Sequence, residues 1–320
     1  MRYLALKISF LICFLYTIAG AVDSTGIIQR EYFIFHFDNP IFVSTADSAL
    51  NAARGQLIGL LNDSLDYRPD IYISDNLEEF KKVVGSAFPD WGAAAALPYR
   101  RLIAIKSPAH FRLGKPLREL LIHEYAHLAL AHRLGLVQAP RWLDEGLAMR
   151  LSAEWGWEQN LSMSRAAIFN AFVPLRQIDR MNLFTEGEAQ IAYSESYLAV
   201  KYLLDSYGRE TFNLFLNKLK EGKDTDEALF AATGSHYDDF EKEFFDYLHN
   251  RYNLMTFFGD TIYFWSILGL IVIVAAVLSF FRRKKKYKEW EEEEKYQSRD
   301  FDYGNPDDPE EIDDDDKPWS

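Results

Sequence analysis

Cysteine is almost absent from this chain: its 320 residues include a single one, Cys13. Cys13 lies inside an apolar run at the amino terminus, so removal of that run would leave the protein without a thiol. A cysteine nucleophile, a disulfide framework and a thiolate metal site are therefore excluded for the mature chain.

Positive charge is also scarce. Lys and Arg total 35 against 48 Asp and Glu, which gives a net charge of −13. Nucleic acid is not an expected partner, because phosphate binding requires clustered Lys and Arg. Much of the negative charge follows Glu289 and ends in the run 313–316, where aliphatic residues are few. We predict a disordered acidic tail, whose partner the sequence does not identify.

Long apolar runs are limited to two, and the first begins the chain. Met1 and Arg2 precede an apolar stretch that ends in Ala19-Gly20-Ala21, which is the pattern of a signal peptide. We predict a signal peptide over residues 1–21 with cleavage after Ala21. The alternative is an uncleaved anchor helix.

The second apolar run covers residues 261–281. It contains no charged residue and is long enough to cross a hydrocarbon core of ~30 Å. Six basic residues follow between Arg282 and Lys288, and such clusters mark the cytoplasmic side. The two runs together predict a single-pass type I protein of the inner or plasma membrane. Residues 22–255 would lie in the periplasm or outside the cell, and residues 282–320 in the cytoplasm.

The segment between the two runs predicts an α+β fold. A sheet part over residues 22–114 would contain three strands, at 32–37, 70–74 and 102–106, with helices at 46–61 and 76–84 between them. Residues 115–255 read as a helical layer, with helices at 115–134, 140–153, 189–207, 210–221, 225–232 and 238–252.

The motif H-E-x-x-H occurs once, from His123 through Glu124 to His127, inside a helix with apolar flanks. Residues four apart on a helix face the same direction, so both imidazoles can reach one Zn²⁺ ion. Glu124 would lie beside the metal and act as general base on a zinc-activated water. The alternative is a pair of core histidines that are satisfied by other protein groups.

Zinc requires a third protein ligand, and the segment 140–148 (P-R-W-L-D-E-G-L-A) offers Glu145. The neighbouring Asp144 is the rival for that role. Two histidines and one glutamate form a catalytic zinc set that leaves a coordination position open.

These two motifs resemble those of the gluzincin zinc metallopeptidases, in particular the peptidase MA-like domains of bacterial exported proteins. The similarity covers roughly residues 95–245 and includes the segment 192–197 (A-Y-S-E-S-Y). It implies a zincin-like fold whose edge strand, expected at 102–106, binds an extended peptide. It also suggests Tyr193 as the oxyanion donor, with core packing as the alternative. Residues 147–150 do not offer the carboxylate or threonine that supports the zinc ligands in better-known branches.

The sequence thus predicts a membrane-anchored zinc peptidase, most simply an endopeptidase, that cleaves exported proteins or peptides. The alternative is a catalytically inactive zincin-like module that binds envelope partners, which the intact Glu124 disfavours. The remaining histidines are interpreted without a catalytic role: His132 as a surface residue, His110 as a loop residue and His36 as part of the core.

Overall fold

A computed structural model describes residues 26–252 and 254–296. The predicted signal peptide over residues 1–21, with Cys13, lies outside the described residues, as does residue 297 onward of the tail that was predicted to be disordered. Residues 289–296, at the start of that predicted tail, are instead helical, because Glu and Lys are good helix formers. The chain divides into two compact units after Phe257.

The first unit contains a five-stranded mixed sheet followed by a helical layer, which confirms the α+β class. The strands are β1 (Ile27–Gln29), β2 (Ile34–Phe37), β3 (Asp70–Ser74), β4 (Ala94–Leu97) and β5 (Leu102–Lys106). Their order across the sheet is β1-β2-β3-β5-β4. The outer pairs, β1 with β2 and β4 with β5, are antiparallel, whereas β3 is parallel to both β2 and β5.

The helices of this unit are α1 (Val43–Leu61), α2 (Leu77–Val84), α3 (Leu117–Arg133), α4 (Arg141–Ser152), α5 (Trp157–Phe169), α6 (Glu186–Lys220), α7 (Thr225–Thr233) and α8 (Tyr237–Arg251). Sequence patterns predicted all of them except α5. The two helices expected at 189–207 and 210–221 form α6, which is interrupted at Gly208, where φ is +81°. Short 3-10 segments cover Pro40–Phe42, Pro98–Arg100 and Leu175–Leu183.

The prediction that residues 102–106 form the edge strand was wrong. Strand β5 lies between β3 and β4, and all five of its residues are buried, as in a central strand covered on both faces. The edge next to β5 is formed by β4, whose sequence is Ala-Ala-Ala-Leu. Because alanine is depleted in strands and shows no alternation here, the pattern gave no signal for β4.

The core lies mainly on the sheet face that packs against α1 and α3. Alternation along β5 divides its side chains, since Ile103 and Ile105 belong to this main core. Leu102 and Ala104 face the opposite side, where they pack with Phe80 of α2. The sheet therefore fixes the position of α3, the helix that carries the H-E-x-x-H motif.

The second unit contains α9 (Leu254–Tyr296), a helix that begins just before the division. Its segment from Trp265 to Lys295 is long and apolar enough to cross a membrane, judged by length and composition. Side chains along this segment are exposed throughout its apolar part. The basic residues from Arg282 to Lys288 come after the apolar part, within the same helix.

Candidate metal centre and active site

Helices α3 and α4 bring three metal-binding side chains together. The Nε2 atom of His123 lies 3.6 Å from Oε2 of Glu145, and Nε2 of His127 lies 3.9 Å from the same oxygen. The ligand atoms of all three residues lie within 4.8 Å of one another. Among the described residues, this is the group of His, Cys, Asp and Glu that could hold a metal ion.

A second ring of carboxylates holds the two imidazoles. Nδ1 of His123 is 2.7 Å from Oε1 of Glu154, and Nδ1 of His127 is 2.7 Å from Oδ1 of Asp144. When each Nδ1–H donates to its carboxylate, each Nε2 keeps a lone pair directed toward Glu145. Asp144, which the sequence left as a rival ligand, thus contacts the far side of His127.

The residues present fit a zinc ion. Ligands bound to zinc at ~2.1 Å in a tetrahedral arrangement lie ~3.4 Å apart, close to the two Nε2–Oε2 distances. The donor set also carries the charge that a divalent cation requires. Burial alone lowers the pKa of His123, yet hydrogen bonds to Glu145 and Glu154 raise it to about 10. The neighbouring acids therefore favour positive charge at this point.

Glu154 was missed by the sequence analysis, which assigned no supporting residue. It follows α4 immediately after Ala153, whose φ of +60° turns the chain back toward His123. Its carboxylate also accepts from Ser152 Oγ at 2.7 Å and pairs with Lys115. Burial raises the pKa of Glu154, but these partners hold it at about 2, so the side chain is ionised at neutral pH.

Glu124 lies in the same cleft. Its carboxylate is not one of the two that pair with the Nδ1 atoms of the imidazoles, which belong to Glu154 and Asp144. Its carboxylate accepts a backbone hydrogen bond from Ala96 of the edge strand β4. Burial raises the pKa of Glu124, and both histidines and this hydrogen bond partly offset the effect. Glu124 is thus a carboxylate of the site that neither belongs to the three grouped metal-binding side chains nor pairs with an imidazole Nδ1, as Asp144 and Glu154 do.

Tyr193 of α6 is partly buried and lies beside Arg141 and Glu145. Burial and the charge of Glu145 raise the pKa of its hydroxyl, whereas Arg141 lowers it through its charge and a hydrogen bond. Arg141 Nε in turn lies 3.4 Å from Oε1 of Glu145. The structure therefore places the Tyr193 hydroxyl in the polar surroundings of Glu145, although the ring also packs against the core.

Gly146 allows α4 to approach α6 closely enough to place Glu145. A Cβ atom at this position would lie 2.1 Å from the carbonyl oxygen of Ser196 on α6. The start of α4 is fixed as well, because Asp179 Oδ1 accepts the N–H of Arg141 at 2.9 Å. In the W-L-D-E-G segment, the buried Trp142 anchors α4 in the core, and Gly146 permits the close approach to α6.

Part of this site opens into a cleft of about 560 Å³. One side is formed by Ala96, Pro98 and Tyr99, at and after the edge strand. The cleft contains Glu124, His127 and Glu145 and continues along the carboxyl-terminal half of α3 into the loop before α4. Such a cleft can accept an extended peptide next to the candidate metal ligands.

The other residues considered in the sequence lie away from this site. His36 is partly buried and pairs with Asp70 at 2.6 Å. His132 is also partly buried, with its two nitrogens 2.9 Å from Asp63 and 3.2 Å from Asp66. These contacts fasten the carboxyl-terminal end of α3 to the loop after α1, so His132 is less exposed than predicted. His110, also considered there, is 3.4 Å from Asp75. Glu195 of α6 lies outside the site as well, since its carboxylate accepts the N–H of Val173.

The family model described as the peptidase MA superfamily matches residues 46–250, which is more than half of the chain. The matched range begins in α1 and ends in α8, so it includes all the side chains of the candidate site. No curated protein matches the chain.

Proposed function

Since the chain belongs to the peptidase MA superfamily, we propose that it is a membrane-anchored zinc-dependent endopeptidase. The observation that carries the proposal is the convergence of His123, His127 and Glu145, with Glu124 beside them in an open cleft. A domain that only binds partners gains nothing from a general base next to a metal site. A protein or peptide is the substrate class that the superfamily indicates.

Zinc bound by His123, His127 and Glu145 would polarise the scissile carbonyl and make water more acidic. Glu124 then takes a proton from the attacking water as its oxygen bonds to the carbonyl carbon. The same carboxylate returns the proton to the amine nitrogen as the C–N bond breaks. Tyr193 donates a hydrogen bond to the carbonyl oxygen as negative charge develops there.

The edge strand β4 supplies the means to align a peptide. Lys106 N–H donates to the carbonyl of Ala93 at 3.0 Å, so the hydrogen-bonded pairs continue at Ala95 and Leu97. The backbone groups of Ala94 and Ala96 therefore point away from the sheet. A substrate in extended conformation pairs with the two carbonyl groups and the Ala94 N–H, while the Ala96 N–H holds the Glu124 carboxylate beside the substrate main chain.

The membrane arrangement is part of the same proposal. The apolar part of α9 spans the bilayer once, and the basic residues from Arg282 to Lys288 remain on the cytoplasmic side. Residues 22–114 and 115–255 form the sheet and helical parts of one exported peptidase domain after removal of residues 1–21. Residues 282–320 form the cytoplasmic tail.

The test is the metal content and peptidase activity of the full chain, purified in detergent. We expect about one zinc per chain in the wild type, most of it lost in Glu145→Ala, and full retention in Glu124→Gln. Glu124→Gln should nevertheless lose peptide cleavage by at least ~100-fold, the range of general-base contributions. Glu158→Ala, which removes an exposed acid on α5, is the matched control and should keep both metal and activity.

Two results would contradict the proposal. A wild-type chain that takes up no zinc even from excess metal would lack the ligand set proposed here. A zinc-loaded chain whose Glu124→Gln variant cleaves peptides as fast as the wild type would lack the proposed base. In either case the exported domain would be better pursued as a binding module.

A further inference from the structure

The cleft has a polar end and an apolar end. At the polar end, the charged side chains already pair with one another: Asp144 with His127, and Arg141 with Glu145. Beyond His127 the cleft continues past the last two turns of α3, where Ala131, Leu136 and Val137 form the wall over the buried Leu130 and Leu134, with Gln138 as the polar neighbour in the loop. An occupant of this end meets mainly hydrocarbon.

Leu136 has an unusual backbone conformation for its residue type. It follows Gly135 in the loop between α3 and α4, and both residues have positive φ, +64° for Gly135 and +67° for Leu136. A large L-residue rarely adopts this conformation, because its Cβ crowds the backbone. The loop is nevertheless held in place, since Leu136 N–H donates to the carbonyl of Ala131 at 2.8 Å.

This conformation is not explained by burial of Leu136 in the core. Its side chain is 43% exposed and lines the cleft. Tyr99 lines the same cleft from the sheet side, just beyond the edge strand, and is 80% exposed. Residues kept in strained backbone conformations tend to serve a site, and two exposed apolar side chains in one cleft indicate contact with a ligand.

We propose that the apolar end of the cleft is a specificity pocket, with Leu136 as a specificity-determining residue. The pocket selects peptides that carry a large apolar side chain next to the scissile bond. A peptide aligned on β4 places its reacting carbonyl near Glu124, and the adjacent side chain then enters the pocket. This inference rests on the proposed peptidase function and adds the substrate class.

The test compares kcat/KM for the full zinc-loaded chain on peptides that differ only in the residues flanking the scissile bond. With Leu or Phe at one of these positions, we expect kcat/KM at least ~10-fold above that with Ser, as for apolar pockets generally. Leu136→Gly relieves the backbone strain and removes the wall, so the ratio should fall several-fold. Its Tm should stay within ~4 °C of the wild type.

Three further variants sharpen the test. Leu136→Asn should behave like Leu136→Gly, because asparagine tolerates positive φ but presents a polar side chain. Ala131→Trp should fill the pocket and shift the preference toward small residues. Ile41→Ser removes an exposed apolar side chain that does not line the cleft, so the preference should remain unchanged.

The outcomes separate this inference from the proposed function. Cleavage that depends on Glu124 but shows no apolar preference would overturn the specificity pocket alone. The same conclusion follows if the preference survives Leu136→Gly, Leu136→Asn and Ala131→Trp unchanged. If no peptide is cleaved in a Glu124-dependent manner, both the peptidase and its pocket are refuted.

Discussion

Gly146 provides a stringent test of how the site is built, because the change to alanine adds one methyl group. The new Cβ would lie 2.1 Å from the carbonyl oxygen of Ser196, 2.6 Å from its carbonyl carbon and 2.8 Å from Val200 Cγ2. Ordinary contact begins at 3.4 Å, so α4 and α6 must separate by about 1.3 Å. The obstacle is helix backbone, which cannot rotate aside as a side chain would.

The expected cost can be estimated from two opposing effects. Overpacking of this kind destabilises by ~3 kcal/mol at the upper end of the usual range. Alanine in a helix interior returns up to ~1 kcal/mol relative to glycine. The net loss of ~2 kcal/mol should lower Tm by about 4–8 °C for a domain of this size.

Metal binding should change as well, because Glu145 precedes Gly146 and Tyr193 lies one turn before Ser196. Separation of α4 and α6 lengthens the distances from Glu145 to the imidazoles of His123 and His127. We expect at least ~10-fold weaker zinc binding in Gly146→Ala, as for loss of a supporting contact. The measurements are thermal unfolding of the metal-free chain and zinc affinity by chelator competition.

Gly55→Ala is the matched control. Gly55 also lies inside a helix, α1, but an added Cβ meets nothing within 4 Å. This variant should be equally or more stable than the wild type and should bind zinc normally. A Gly146→Ala variant with wild-type Tm and wild-type zinc affinity would refute the close packing of α4 on α6.

Two further predictions concern buried carboxylates. Glu154→Gln should weaken zinc binding by ~10–100-fold, because His123 loses its ionised partner; an unchanged affinity in chelator competition would contradict that role. Burial raises the pKa of Glu195 well above its usual value, so the unfolded chain loses this proton at lower pH than the folded chain. Folding stability therefore falls as pH rises from about 4.5 toward the raised pKa, by up to ~1.4 kcal/mol per pH unit. Glu195→Gln removes that loss, so the free energy of unfolding of the variant, relative to that of the wild type, should be larger at pH 8 than at pH 5 in denaturant unfolding. The same difference at both pH values would argue against an ionisable, buried Glu195.

Local patterns in the sequence were sufficient for the elements that carry strong periodicity or sharp boundaries. Strands β3 and β5 occur with the predicted bounds, and α3 ends within one residue of the predicted Leu134. The motif spacing also indicated which residues could converge, since a helix geometrically fixes His123 and His127 on one face. The family match over residues 46–250 agrees with that interpretation.

Other features depend on contacts that no local pattern encodes. Strand β4 is a strand because β5 offers it a partner, not because alanine favours extended backbone. Glu154 reaches His123 only because the chain reverses at Ala153, which has a left-handed conformation. Alanine, unlike glycine or asparagine, gives no sequence signal for such a reversal. The cleft wall at Leu136 has the same origin. All three lie at chain reversals or edges, where tertiary contacts override propensity.

The arrangement of charge in the site argues for a cation at its centre. Four carboxylates, those of Glu124, Asp144, Glu145 and Glu154, lie around two imidazoles in a largely buried region. Asp144 and Glu154 use both Nδ1–H donors, which leaves two Nε2 lone pairs and the Glu145 carboxylate directed at one point. A single proton on one Nε2 joins that nitrogen to Glu145 but leaves the lone pair of the other Nε2 without a partner. A divalent cation satisfies all three together, so metal binding and the stability of this buried polar centre are thermodynamically linked.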